Sequence, residues 1–540
     1  MYKKHAFRLL VPLLLTPLLA CADGSEAPGP MLGALQMLPE ACGKPLADID
    51  SQARQQLTAL YARAQFEPLW TSYAQLDELL SQLNALADDG LSPATYHTET
   101  IHRTAHTATA KPLHRECSDL LASHGYLLAL QHLTHGRLPQ ALHEPVWRRT
   151  EAPATQRDEQ LLDTAAQALK TPRLAFDKAR PALEQYRNLR LAYAQLRRAE
   201  RTEQPNIPSG KTLRSGMTDP RLPLLRQRLS ADDYLPAAAV SPDGADTYNA
   251  ADEAALLAFQ RHHGLQDDGV LGVETLAALN ATADERLGQL RANLERFRWL
   301  SGDIEDESLL VDIAGGRVIH IHHGQPLWET RAQVGRNTRQ TPAIKSSVTR
   351  LTLNPTWTIP PTILREDKLP KIRESLDYLA QQNLQVLDYQ GNLLDPQLID
   401  WNNPGNILLR QAAGPDNPLG RVAIRFANPY SIYLHDTPSQ GLFGRAQRAT
   451  SSGCVRVESV MQLVNLLLAE NEQERFERLL ETGKTYEFRL SKAMPILLAY
   501  WTAEADSSGQ PRYRPDIYQR DRSLLGALSA ADQQPLEHSR

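Results

Sequence analysis

The spacing of apolar residues changes period along this chain, and that change most limits what the chain can fold into. Between about 45 and 205, apolar side chains recur three and four apart: Leu57, Leu60 and Tyr61; Leu76, Leu79, Leu80 and Leu83; Tyr186, Leu189, Tyr193 and Leu196. That spacing draws one stripe along helices of 3.6 residues per turn, and Asp88-Asp89-Gly90-Leu91-Ser92-Pro93 breaks them. After about 305 the pattern becomes short β-branched runs. Residues 308–313 and 317–322 flank Gly315-Gly316 as a hairpin, and further strands are predicted at 347–353, 422–426 and 431–434. A helical unit followed by a mainly β unit predicts an α+β multidomain protein. With 540 residues there is room for three or four domains at about 150 residues each.

Between the two lie a polar linker near 199–210 and a small helical unit at 211–282. Its helices are predicted at 222–229, 251–263 and 273–279, with Gly264 and Asp267-Asp268-Gly269 supplying turns. Residues 283–300 read as one helix returning to the first unit, which itself spans 45–205. The β unit is placed at 301–495. A charged helical insertion at 361–405 is positioned to cover a site, helices at 460–470 and 472–480 close the far edge, and 496–540 form a C-terminal segment.

Residues 1–22 carry a basic start (Lys3, Lys4, Arg8) and an apolar run at 9–20 broken by Pro12 and Pro17. The run is shorter than the roughly 20 residues a bilayer span needs, so an export signal is expected. Two cleavage readings stand side by side. Ala20-Cys21-Ala22 suits ordinary signal peptidase; Leu18-Leu19-Ala20-Cys21 resembles a lipobox and leaves Cys21 lipidated. The Gly/Pro/Ala-rich stretch 23–44 reads as a tether. Both readings export the mature protein, the second with a lipid tether. Of the other cysteines, Cys42 and Cys117 are open to pairing, which spacing does not decide, and Cys454 is the odd thiol. A net charge of −5 argues against a nucleic-acid binder.

The chemistry concentrates in two segments, Tyr433-Leu434-His435-Asp436 and Ser451-Ser452-Gly453-Cys454-Val455-Arg456. His435 ends a strand pattern and Cys454 follows nineteen residues later, enough for a loop to return. The reactive form of cysteine is the thiolate, so a neighbouring imidazole must share or take its proton. Ser452, Gly453 and Cys454 offer successive backbone N–H groups for an oxyanion, and Arg456 a forked cation for a carboxylate. Tyr433, two residues before His435, shares its face and is a candidate to line the oxyanion site. Without further context Cys454 would more readily read as a small buried hydrophobe and His435 as a hydrogen-bonded strand-end residue.

These segments resemble the catalytic motif of the large periplasmic L,D-transpeptidases, whose YkuD-type catalytic domain accompanies a helical scaffold and a peptidoglycan-binding domain. Supporting motifs are Val334-Gly335-Arg336, Gln340-Thr341-Pro342, Asn354-Pro355-Thr356-Trp357, the stretch Arg410 to Gly420, and Asp516-Ile517-Tyr518. Leu257-Ala258-Phe259-Gln260-Arg261 and Asp268-Gly269-Val270-Leu271-Gly272 resemble the peptidoglycan-binding signature. Ser452 stands where most of the family carries histidine. The resemblance implies a cysteine acyl-enzyme that forms 3→3 cross-links between diaminopimelates of tetrapeptide stems, expelling D-Ala. It implies no cofactor, inhibition by carbapenems, and an imidazole held by a backbone carbonyl rather than by Asp436. Murein synthases are a further class of partner that it suggests, and the compartment it implies is the periplasm, with the lipid tether of the second cleavage reading in the outer membrane. His320 and His322 share a strand face but lack a third ligand at metal-binding spacing, so no metal is expected and that face is predicted to be exposed and polar.

Overall fold

The computed structural model describes residues 29–36, 38, 42, 46, 49–105, 112–149, 154–200, 204–236 and 247–533. The expected export signal, 1–22, lies outside the described residues, as does most of the tether. Met31–Gln36 form a helix whose Met31, Ala34 and Leu35 enter the scaffold core. That part of 23–44 is therefore docked rather than extended, because its Met and Leu side chains find an apolar groove that composition alone does not reveal. Cys42 is disulfide-bonded to Cys117, pinning this segment to the long helix Pro112–His135. No helix among the described residues is long and apolar enough to cross a membrane.

The helical unit packs around Leu57, Leu60, Tyr61, Leu79, Leu83, Tyr126 and Phe176, all buried. The return helix, Ala283–Leu300, begins with a capping box in which Thr282 and Glu285 satisfy each other's backbone N–H. Its last two turns are buried on every side. Arg296 is fully buried there, bridging Glu144 of the scaffold and Asp521 of the C-terminal helix Asp521–Gln533. Arg298 pairs with Glu295 at 2.6 Å. Removing one partner of such a pair would strand a buried charge, costing about 3–5 kcal/mol.

The small unit comprises Leu222–Ala231, Ala250–His262 and Val273–Leu279. Its Gln260 is buried; the side-chain oxygen accepts the Gly269 N–H and the amide donates to Val270 O, fixing the turn into the third helix.

The β unit is a closed barrel of eight strands: β1 (Glu307–Asp312), β2 (Arg317–His322), β3 (Gln325–Gly335), β4 (Ile344–Leu353), β5 (Val422–Phe426), β6 (Leu434–His435), β7 (Val455–Val457) and β8 (Tyr486–Ala499). Around the barrel the order is β4, β8, β1, β2, β3, β7, β6, β5, and β5 pairs again with β4. Closure leaves no open edge along that circuit. Leu309, Val311, Ile344, Val348, Ile424, Leu434 and Val455 fill the interior, each burial worth about 1.5–3 kcal/mol. The scaffold contributes a two-residue strand, Trp147–Arg148, parallel to β4.

Three sequence boundaries move. β8 runs across position 495, since Ile496 to Ala499 pair in parallel with Leu309 to Asp312; the barrel thus claims the start of the segment assigned to 496–540. The insertion extends beyond 361–405. Trp357–Thr358, Leu384–Leu387 and Leu408–Gln411 form a sheet of its own over a separate core of Ile359, Ile372, Val386 and Leu409. The strand expected at 431–434 is mostly a turn: Asn428 Oδ1 accepts the N–H groups of Tyr430 and Ile432, and Ser431 has φ of +56°. All three depend on non-local pairing or one side chain's reach, which periodicity does not encode.

His320 also departs from expectation. It is buried, and Glu307, which pairs across from His322, accepts from both rings. Cross-strand register supplies the carboxylate that linear spacing concealed.

Candidate active site

β6 and β7 lie side by side and parallel, with Leu434 opposite Val455 and His435 opposite Arg456. Alternate residues of a strand face one side. Leu434 and Val455 therefore point into the core, while Tyr433, His435, Cys454 and Arg456 share the other face. The Val455 N–H donates to Tyr433 O at 3.1 Å, which places Cys454 beside Tyr433 and one register step from His435. A separation of nineteen residues is thus closed by a parallel strand pair.

The turn that carries Cys454 is held by hydroxyls. Ser451 Oγ donates to Cys454 O at 2.5 Å and accepts the Gly453 N–H at 3.1 Å. Thr341 Oγ1 donates to Gly453 O at 2.7 Å and accepts the Gly335 N–H at 2.8 Å. Gly453 sits at φ +117°, a conformation glycine tolerates best. Tyr518, from beyond the barrel, donates to Gly335 O and accepts the Thr341 N–H. Because the Gly453 N–H is committed to Ser451, it does not serve as a free oxyanion donor. The Cys454 N–H has no acceptor among the described residues.

Cys454 is a free, partly buried thiol. Its Sγ lies 3.7 Å from Ser431 O. Burial pushes the thiol up, outweighing the downward pull of Tyr433, Arg425 and Arg456. The imidazole of His435 is buried; burial, with Arg456 and Arg425 adding to it, pushes it down to about 3. At neutral pH the resting pair is therefore neutral thiol and neutral imidazole. Desolvation of both groups opposes the imidazole-ionised sulfur expected from the sequence.

His435 Nδ1 donates to Asp436 O at 2.5 Å. The neutral ring then carries its free lone pair on Nε2. The Asp436 carboxylate is occupied by the backbone N–H groups of Arg421 and Thr437, so it orients backbone, not imidazole. Gly420 makes room for it; a Cβ there would come within 2.3 Å of Asp436 Oδ2.

Arg456 Nη1 donates to Gln333 Oε1 at 3.1 Å, and its buried Nε has no partner. No carboxylate pairs with it among the described residues. Ser452 faces elsewhere: its hydroxyl accepts from Arg339, which also pairs with Asp367 at 2.6 Å and Glu366 at 2.5 Å in the insertion. Those acids lie on a π-helical turn, Leu364–Lys368, a distortion frequent at functional sites. Arg425, Gln333, Thr341, Ser451 and Arg339 were not singled out as site residues from sequence. Arg425 lies 3.9 Å over the Tyr433 ring. Thr341 and Ser451 stood within quoted motifs; the others carry no local signal.

Three family models match the chain. Residues 306–475 match the L,D-transpeptidase catalytic domain (YkuD), 55–192 the scaffold domain, and 218–279 the model described as "Putative peptidoglycan binding domain". A curated protein of Haemophilus influenzae, described as "Putative L,D-transpeptidase", is 37% identical over 241 residues, 44% of this chain and 48% of that protein. The match thus spans about half the length of that relative. Residues 306–475, which hold every side chain of the site just described except Tyr518, match the L,D-transpeptidase catalytic-domain family, in a chain whose other segments match a scaffold domain and the peptidoglycan-binding model.

Proposed function

We propose that this protein is an L,D-transpeptidase that forms 3→3 cross-links in peptidoglycan through a Cys454 thioester. The observation that carries the reading is the placement of Cys454, Tyr433, His435 and Arg456 on one face of two adjoining parallel strands, within the residues that match the catalytic domain.

In the first half-reaction Cys454 Sγ attacks the carbonyl joining diaminopimelate to the terminal D-Ala of a tetrapeptide stem. As the sulfur–carbon bond forms, the thiol proton passes to His435 Nε2. The tetrahedral oxyanion is met by the Cys454 N–H and the Tyr433 hydroxyl. Collapse breaks the carbon–nitrogen bond, and His435 returns the proton to the departing D-Ala amine. In the second half, the side-chain amine of another diaminopimelate attacks the thioester. His435 takes its proton, the sulfur–carbon bond breaks, and the thiol is reprotonated. Arg456, lacking a protein counter-ion, holds a stem carboxylate. Export to the periplasm, with or without a lipid on Cys21, supplies this substrate.

Incubation with purified disaccharide-tetrapeptide and mass spectrometry of the products tests the reading. A dimer lighter than two monomers by one D-Ala is expected, and Cys454→Ser should lose it by several orders of magnitude because a hydroxyl lacks comparable ionisation. Tripeptide alone would make the enzyme a hydrolase, and wild-type turnover by the serine variant would remove Cys454 from the mechanism.

A further inference from the structure

We infer that the cleft between the peptidoglycan-binding unit and the barrel is a second binding site, built to hold carboxylates of peptidoglycan stem peptides away from the nucleophile. The identity of the ligand rests on the function proposed above; the anionic character of the site does not.

The cleft has a volume of about 630 Å³, within the range of ligand sites. One wall is the turn 264–267 of the small unit. The other is the loop 443–449 with the β1–β2 hairpin turn. The walls are fixed to each other: Gln266 Oε1 accepts the Ala446 N–H at 3.0 Å, and Gln447 donates to Glu274 at 2.7 Å. His263 stacks on Tyr513 beneath them.

Seven arginines line this space against three carboxylates. Four are compensated. Arg317 and Arg514 share Glu504, Arg331 pairs with Glu458, and Arg261 lies 3.6 Å from Asp267. Arg445, Arg448 and Arg512 form no salt bridge among the described residues, although Arg512 lies opposite Glu504 on the paired strand and is attracted to it and to Asp506. Arg448 is the informative one. Its guanidinium donates only to carbonyls, those of Gly315, Gly316, Ala332, Arg445 and Ala446. Its donors are filled by neutral oxygens; Glu458 and Asp312 offset its charge only in part, while burial together with Arg331 and Arg514 disfavours that charge. A cation held at such cost projects positive potential into a concave, partly desolvated space, where an anion is drawn most strongly.

Position links the cleft to the chemistry. The loop bearing Arg448 runs directly into Ala449–Ser451, which pairs in parallel with Val334 and Gly335 and leads to Cys454. A strand of peptidoglycan touching both domains would thus present one stem here while a neighbouring stem reaches the nucleophile.

The test is binding of the full-length protein to purified peptidoglycan sacculi by co-sedimentation, using native sacculi and sacculi whose carboxyl groups have been amidated. The double variant Arg445→Gln/Arg512→Gln changes two exposed side chains outside the catalytic machinery. Its affinity for native sacculi should fall about three- to tenfold, the scale of two solvent-facing ion pairs. Wild-type affinity should drop to a similar level on amidated sacculi, on which the variant loses nothing more. Unchanged affinity of the variant, or indifference of the wild type to amidation, overturns the inference. Carboxylate-dependent binding without any Cys454 thioester overturns the proposed function and leaves this site standing. Thioester formation with carboxylate-independent binding does the reverse.

Discussion

Thr341→Val isolates what holds the nucleophile in place. The exchange keeps side-chain volume nearly constant and removes one hydroxyl from a position with no exposure. That hydroxyl accepts the Gly335 N–H at 2.8 Å and donates to Gly453 O at 2.7 Å. The variant therefore leaves a donor and an acceptor without partners in a dry environment. Each orphaned group costs about 1–3 kcal/mol, so a loss of about 2–5 kcal/mol is expected in the unfolding of the catalytic domain. That is a large part of a typical margin of about 5–15 kcal/mol. The two remaining bonds, from Tyr518 to Gly335 O and from the Thr341 N–H to Tyr518, are unaffected and keep the strand end from dissolving. The functional loss should be of the same order as the stability loss. Gly453 immediately precedes Cys454, and a displacement of about 1 Å at a reacting atom can cost on the order of 100-fold in rate. Urea unfolding followed by barrel tryptophan fluorescence reads the first effect, and the rate of Cys454 acylation by meropenem, followed by intact mass, reads the second. A variant within about 0.5 kcal/mol of wild type that acylates at the wild-type rate would refute the assignment of Thr341 as the clamp.

Other predictions concern the insertion, acid and the scaffold. Arg339→Ala removes the group joining Ser452 to Asp367 and Glu366, so hydrogen exchange over 361–374 should accelerate while the scaffold is unchanged; equal protection would show that the insertion is held by its apolar core alone. Burial pushes His435 and His124 down to about 3 and His97 down to about 4. Folded imidazoles that bind fewer protons than unfolded ones make stability fall as pH drops below about 6.5, by about 2 kcal/mol per fully buried ring at pH 5. The thermal midpoint should accordingly decline between pH 7 and pH 5, and a flat profile would contradict the burial of these rings. Cys42→Ala/Cys117→Ala opens a link spanning 75 residues and should destabilise the helical unit by about 2–4 kcal/mol, read as a lowered scaffold transition in calorimetry.

The amino-acid sequence by itself determined the α+β organisation and the limits of the return helix at 283–300, and it singled out His435 and Cys454 as the candidate chemical centre. Each of these is local: a period, a cap, or a short motif whose chemistry demands those residue types. Tertiary structure alone decided that the barrel closes through β5 and β4, that β8 carries the domain past 495, and that Glu307 reaches both His320 and His322. It also decided the charge state of the site. A motif names a thiol and an imidazole, but how far each is stripped of water depends on how the surrounding strands pack, and these are contributed by segments far apart along the chain. Desolvation and long-range register are properties of the packed molecule, and for that reason the resting neutrality of Cys454 and His435 and the hydroxyl clamp on Gly453 could be seen only after folding.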